Sequence, residues 1–149
     1  PVEGFEMAMQ SGHRSPLGHQ YRWAMVTALQ TGRRDLLERV VEATADLPRL
    51  PMSELRDHAL RGALAALGGD IEEAEARFAV SIELADELWG PIYGGFIRVA
   101  TLSYLGETHP TARAWATLTR DQWEAAGLRT LLDLFTEELA VLDEVAETA

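Results

Sequence analysis

Residues 62–89 read GALAALGGDIEEAEARFAVSIELADELW, and the fold is decided by how this stretch is read. Gly68 and Gly69 can take the positive φ that closes a helix C-terminus, so a helix ends there. Asp70 stands where the N-cap of the next helix belongs, with Glu73 three residues on. This is an acidic form of the capping box, and Glu72 adds charge of the sign that suits a helix N-terminus. Ile71, Ala74, Phe78, Ile82 and Ala85 follow at spacings of three and four and form one apolar stripe. Glu72, Glu75, Glu83 and Asp86 take the other face. The stretch predicts a helix end, a tight turn and an amphipathic helix.

Working outward, the same punctuation recurs at a fixed interval. Gly32, Gly69 and Gly106 are 37 residues apart, as are Gly90 and Gly127, and Pro16 and Ser53 extend the second series toward the N-terminus. Nine residues after each turn glycine stands a large apolar side chain: Val41, Phe78 and Trp115. Ser15-Pro16 opens a helix that Gly32 ends, with Tyr21, Ala24, Met25, Ala28 and Leu29 inward. A second helix, 34–46, carries Leu37, Val40, Val41 and Thr44 and stops at Leu47-Pro48-Arg49-Leu50-Pro51. Ser53 caps a third, which ends at Gly68; the fourth is 71–89. A fifth covers 92–105, and Thr108-His109-Pro110 opens a sixth to about 126. A closing helix, 128–146, carries Leu131, Leu132, Phe135, Leu139 and Leu142, and residues 1–14 read as the tail of a preceding helix. No segment sustains the period-two alternation of a strand.

The expected fold class is therefore all-α. It is an α-solenoid of antiparallel helix hairpins, three pairs (16–52, 53–89 and 90–126) plus a C-terminal capping helix, in one domain over 1–149. Each hairpin cannot bury its apolar face alone, so stacking neighbours makes the core.

Composition narrows the function classes. The 149 residues are 47% hydrophobic with a formal net charge of −11. Up to Gly68 eight arginines balance eight acids, and from Gly69 onward five arginines face sixteen acids. Such a chain repels phosphate backbones, so no direct nucleic-acid partner is expected. The apolar runs fall short of a membrane span, and no basic region followed by an apolar run suggests a signal peptide. Cysteine is absent, which removes disulfides and thiolate chemistry and points to a reducing, cytoplasmic setting. All 13 basic residues are arginine, a bias that suggests a bacterial gene of high GC content.

The central pair resembles a tetratricopeptide-type repeat. Gly62 in the first helix, then Gly69-Asp70, Ala74, Phe78 and Ser81 in the second, match the small-residue and aromatic positions at which that family packs helix on helix. The first and third copies replace Ala74 by Leu37 and Thr111, and Gly62 by Met25 and Val99. ALAALGGDIEEAEARFAVSIELADELWGP is also similar in style to helical regions of LuxR-type and other ATPase-linked bacterial regulators and of cyclase-associated ATPases. The resemblance implies a non-catalytic scaffold for protein or peptide binding within a larger signalling or transcription protein.

Residues able to do chemistry are sparse. Without lysine there is neither a phosphate-binding P-loop nor Schiff-base chemistry, and no GxSxG, HExxH or GxGxxG occurs, so no enzyme and no cofactor are expected. Gly90, Gly94 and Gly95 read as close packing at a helix start. His13, His19, His58 and His109 stand alone in their helical registers and read as surface or boundary residues, with no metal site expected. Asp70, Glu72, Glu73 and Glu75 read as capping and solvation. Trp115 and Phe78 are expected in the core, and Trp123 under the closing helix. Trp89 is either a helix-end staple or an exposed contact.

In stacked hairpins the first helices line the concave face. The family resemblance places there His19, Arg22, Val26 and Leu29, then Arg56, Ala59, Ala63 and Ala66, then Tyr93, Phe96, Ala100 and Ser103. The candidate partner-binding residues are thus His19, Arg22, Arg56, Tyr93, Phe96 and Ser103, in a groove basic at one end and aromatic at the other. Such a groove suits an extended, partly acidic peptide or a helix. The alternative is a small-molecule sensor with Tyr93, Phe96 and Tyr104 lining an apolar pocket. Homo-oligomerisation through exposed solenoid ends is a further possibility.

Overall fold

The structure, a computed structural model, describes residues 26–46 and 49–144, apart from the side chain of Tyr93. Its regular structure is helical throughout these residues, with no strand among them. A helical segment α1 (26–31) leads to α2 (Arg34–Thr44), α3 (Pro51–Leu67), α4 (Ile71–Trp89), α5 (Pro91–Leu105) and α6 (Pro110–Ala125). The chain closes with α7 (Arg129–Leu134) and α8 (Thr136–Glu144). None of these helices is long and apolar enough to cross a membrane. The most extensive contact is α3 with α4, followed by α4 with α5 and α5 with α6. Contact between α3 and α5, two places apart, is slighter, whereas α8 packs on α5 and α6 more than on α7.

The five glycines expected to punctuate the chain, Gly32, Gly69, Gly90, Gly106 and Gly127, are the five residues of positive φ in the described chain. At Gly69 the geometry is complete. Asp70 N–H donates to Ala65 O at 2.9 Å and Gly69 N–H to Ala66 O at 3.0 Å, closing α3 in a Schellman motif. Asp70 then caps α4, its Oδ1 accepting from Glu73 N–H at 3.1 Å. The reciprocal half of the expected capping box is not made. Asp70 N–H already serves Ala65, and the Glu73 carboxylate takes Arg77 Nε at 2.5 Å instead.

Three expectations are corrected. Ser53 does not cap α3. The helix begins at Pro51 with Leu50 at the N-cap, and Ser53 Oγ accepts from Leu50 N–H at 2.8 Å from one turn inside. Proline fits the first helical position because its missing N–H is unpaired there anyway. The closing helix is not continuous. It breaks at Phe135 (φ −111°), where Thr136 Oγ1 donates to Leu132 O and Asp133 O at 3.1 and 2.9 Å, a side-chain bond that competes with the helix ladder.

The third correction concerns Trp115, which is only half-buried. The buried face of α6 runs Ala112, Ala116, Thr119, Trp123. Each is one residue further from Gly106 than Ala74, Phe78, Ser81 and Ala85 are from Gly69. The longer turn before Pro110 rotates α6 by about 100° per residue of offset, which takes Trp115 off the core line.

Three junctions join successive helices. At the first, Gly62 of α3 lies against α4: a Cβ there would sit 3.3 Å from both Ala74 O and the Phe78 ring. Buried Ser81 donates to Leu55 O at 2.8 Å across the same seam. At the second, buried Arg98 of α5 pairs with Asp86 of α4 and donates to Pro91 O at 3.2 Å; Gly94 leaves the room that the Asp86 carboxylate fills. At the third, a Cβ on Gly95 would lie 2.7 Å from Thr119 Cγ2 and 2.9 Å from the Trp123 ring. Fully buried Trp123 donates its indole N–H to Ile92 O at 3.2 Å. The rings of Phe96, Trp123 and Phe135 meet pairwise at 5.5–5.8 Å, so the closing helices cover Trp123 as expected. The end of α8 is tied down by Arg113, which donates to Val141 O and Leu142 O at 3.1 and 2.9 Å, the unpaired carbonyls of a helix C-terminus.

Candidate functional site

The expected concave line is interrupted in its middle. Ala59 and Ala63 are fully buried, because α3 carries contacts with α2, α4 and α5 and these methyl side chains cannot reach past them. Leu29 is buried; Val26, Ala66 and Ala100 are half-buried. His19, Arg22 and the side chain of Tyr93 lie outside the described residues. Phe96 is half-buried and occupied by Trp123 and Phe135. Ser103 is exposed and opens on a cleft of about 200 Å³ whose polar lining, Glu107, Glu137 and Glu138, is acidic. Arg56 is half-buried and lines a different cleft, described below. The structure does not bring Arg56, Phe96 and Ser103 together on one surface feature.

Phe96 and Tyr104 also belong to different packing layers. Tyr104 is buried with its ring 5.8 Å from Phe78, and its hydroxyl donates to Leu29 O at 2.6 Å. Sequence reasoning missed this tie between α1 and α5, since no local spacing relates residues 75 positions apart. Burial pushes the Tyr104 phenol up to about 12. Its folded value thus exceeds the unfolded value of about 10, and the associated stability is full below about pH 10 and lost as pH rises through about 12. The loss is on the order of 2–3 kcal/mol. In a phenolate absorbance titration, Tyr104 should ionise late. Tyr104→Phe should remove that late step; three tyrosines titrating together near pH 10 would contradict the buried assignment.

The basic cleft, about 120 Å³, lies between the end of α2 and the first half of α3. Arg49, Arg56 and Arg61 supply its positive charge and Glu54 and Asp57 its negative charge, with His58 beside them. Glu54, Asp57, His58 and Arg61 fall three, one and three residues apart, on one face of α3. Asp57 holds Arg61 through both oxygens, at 2.7 and 2.8 Å from Nε. His58 Nδ1 is buried without a hydrogen-bond partner. Arg49 and His58 were not singled out as binding residues. Arg49 read as part of a Pro-flanked stop and His58 as a lone histidine, and only the packing of α2 on α3 joins them.

A second polar link sits at the start of α6. Glu75 accepts from Thr111 Oγ1 at 2.7 Å, and His109 Nε2 lies 3.6 Å from its other oxygen. The acid read as solvation alone therefore also joins α4 to α6. Among the described residues no three His, Asp or Glu side chains converge as a metal-ligand group. Compared with protein-family models, with curated proteins and with solved structures, the chain has no match in any of the three.

Proposed function

We propose that this chain is a tetratricopeptide-like helical-repeat module, a non-catalytic scaffold that binds a protein or peptide as a regulatory part of a larger bacterial signalling or transcription protein. The observation that carries the reading is the contact pattern: the helices α2 to α6 pack chiefly on their neighbours in sequence, as in stacked repeats. The junction formed by Gly62, Ala74, Phe78 and Ser81 supports it, since these are the positions on which the family resemblance rests. The half-open basic cleft beside Arg56 favours an acidic partner over a nucleic acid.

The experiment is capture of partners by the immobilised full chain, compared with a variant carrying Arg22→Glu and Arg56→Glu. Loss of capture is expected. Equal capture by the variant would remove Arg22 and Arg56 from the binding surface.

A further inference from the structure

Helix α4 carries a second apolar line besides the one that faces the core. Val80, Leu84 and Leu88 recur at every fourth residue; Val80 and Leu88 are 39% and 41% exposed, and Leu84 is half-buried. Exposed apolar side chains scattered singly are ordinary, but these share one helical line. Glu83 and Glu87, both exposed, stand one residue before Leu84 and Leu88. We infer that this face of α4 docks a basic amphipathic helix of a protein partner. The inference rests on the binding-module reading and adds a surface on a different helix from Arg56, with the opposite charge requirement.

The line is open because of where the neighbouring helices lie. α3 and α5 take the buried face of α4, and α6 lies on its Glu75 side, where Thr111 donates to Glu75 at 2.7 Å. At about 100° per residue, Val80, Leu84 and Leu88 stand roughly 140–220° round the axis from Glu75, away from α6. In a stack, the remaining flank belongs to the second helix of the preceding pair. That helix, α2, has 11 residues against 19 in α4, ends at Thr44 and packs on α3. From Val80 to Leu88 is about 12 Å of α4, the length of two helical turns.

Charge sets the partner's sign. The one arginine of α4, Arg77, is taken by Glu73, while Glu75 accepts from Thr111 and Asp86 holds Arg98. Glu83 and Glu87 make no hydrogen bond or ion pair among the described residues. One turn apart, they repel each other, and a cation set between them relieves the repulsion. The surface of α4 sets the partner's conformation. It offers no backbone hydrogen bonds, so an extended segment would leave its own N–H and C=O groups unpaired against it, whereas a helix pairs them internally. A helix with apolar residues at every fourth position meets the line, and arginines beside them reach the two carboxylates.

The test uses the full chain and a fluorescein-labelled helical peptide of Ala, Leu and Arg with Leu at every fourth position, read by anisotropy at low and raised salt. One counterpart has the same composition with Leu scattered round the helix; another has Glu in place of Arg. The striped basic peptide is expected to bind saturably, and the scattered one about tenfold more weakly, because it keeps the charge attraction without the apolar match. Val80→Ser with Leu88→Ser should weaken the striped peptide about tenfold. Glu83→Gln with Glu87→Gln should do the same and reduce its dependence on salt by about half. Both carboxylates are exposed and without partners in the fold, so this second variant decides the matter if the first unfolds. Leu118→Ser on α6, an apolar residue 45% exposed outside the line, should leave binding unchanged. Equal binding of the striped and scattered peptides overturns the inference, as does a loss at Leu118→Ser equal to that at Val80 and Leu88, or unaltered binding to the Glu83 and Glu87 variant. Tighter binding of the Glu peptide overturns it too but leaves the binding-module reading standing. No binding by any peptide overturns both.

Discussion

Replacing Phe78 by Ala should lower the stability of the fold by about 3–5 kcal/mol, the cost of emptying a large buried aromatic site. Phe78 is fully buried where α3, α4 and α5 meet. Its ring lies against the backbone at Gly62 and 5.8 Å from Tyr104. Neither neighbour can move in to fill the gap: Gly62 has no side chain, and Tyr104 is held by its bond to Leu29 O at 2.6 Å. Because the site cannot collapse, the upper half of the range is expected. Urea unfolding should show a lower midpoint at unchanged slope. A change near zero would place Phe78 outside the core. The same measurement on Trp115→Ala should give a smaller loss, because that side chain is only half-buried.

The second large effect is expected at the junction of α4 and α5. Asp86→Ala should cost about 3–5 kcal/mol, because it leaves the Arg98 guanidinium buried with only a backbone carbonyl for partner. Arg98 is 4% exposed, so water cannot replace the lost carboxylate without opening the junction. The pair itself need not be strongly stabilising, since two charges are taken out of water to form it. A double variant, Asp86→Leu with Arg98→Met, should therefore be markedly more stable than Asp86→Ala alone. If the double variant is as unstable as the single one, the loss comes from packing volume and the stranded-charge explanation fails.

Much of the local structure was legible in the sequence. The period-3.6 stripe Ile71, Ala74, Phe78, Ile82, Ala85 identified α4 and its buried face, all of it buried or half-buried. The turn glycines identified five helix boundaries, because L side chains rarely take the positive φ found at each of them. What could not be read was the rotation of one helix on the next. Counting from the glycines put Trp115 in register with Phe78, but the turn before α6 is longer and the buried line moves by one residue. The break at Phe135 was hidden for a related reason: the apolar spacing of α7 and α8 is continuous with one helix, and the Thr136 hydroxyl competes for its carbonyls.

The site was less legible than the fold. Arg56 was named from the sequence, whereas His58 and Arg61 of the same helix were not, and Arg49 joins them only through the packing of α2 on α3. The sequence by itself determined an all-helical chain, its glycine-punctuated boundaries, and the identity of Phe78 as a core residue, because capping, φ and amphipathic spacing act within a few residues. Only the tertiary structure decided that Ala59 and Ala63 are sealed, that Tyr104 reaches Leu29, and that Arg98 is buried on Asp86. Those outcomes depend on the angle and register at which helices meet, which arise from the summed packing of distant side chains and leave no local periodic signal.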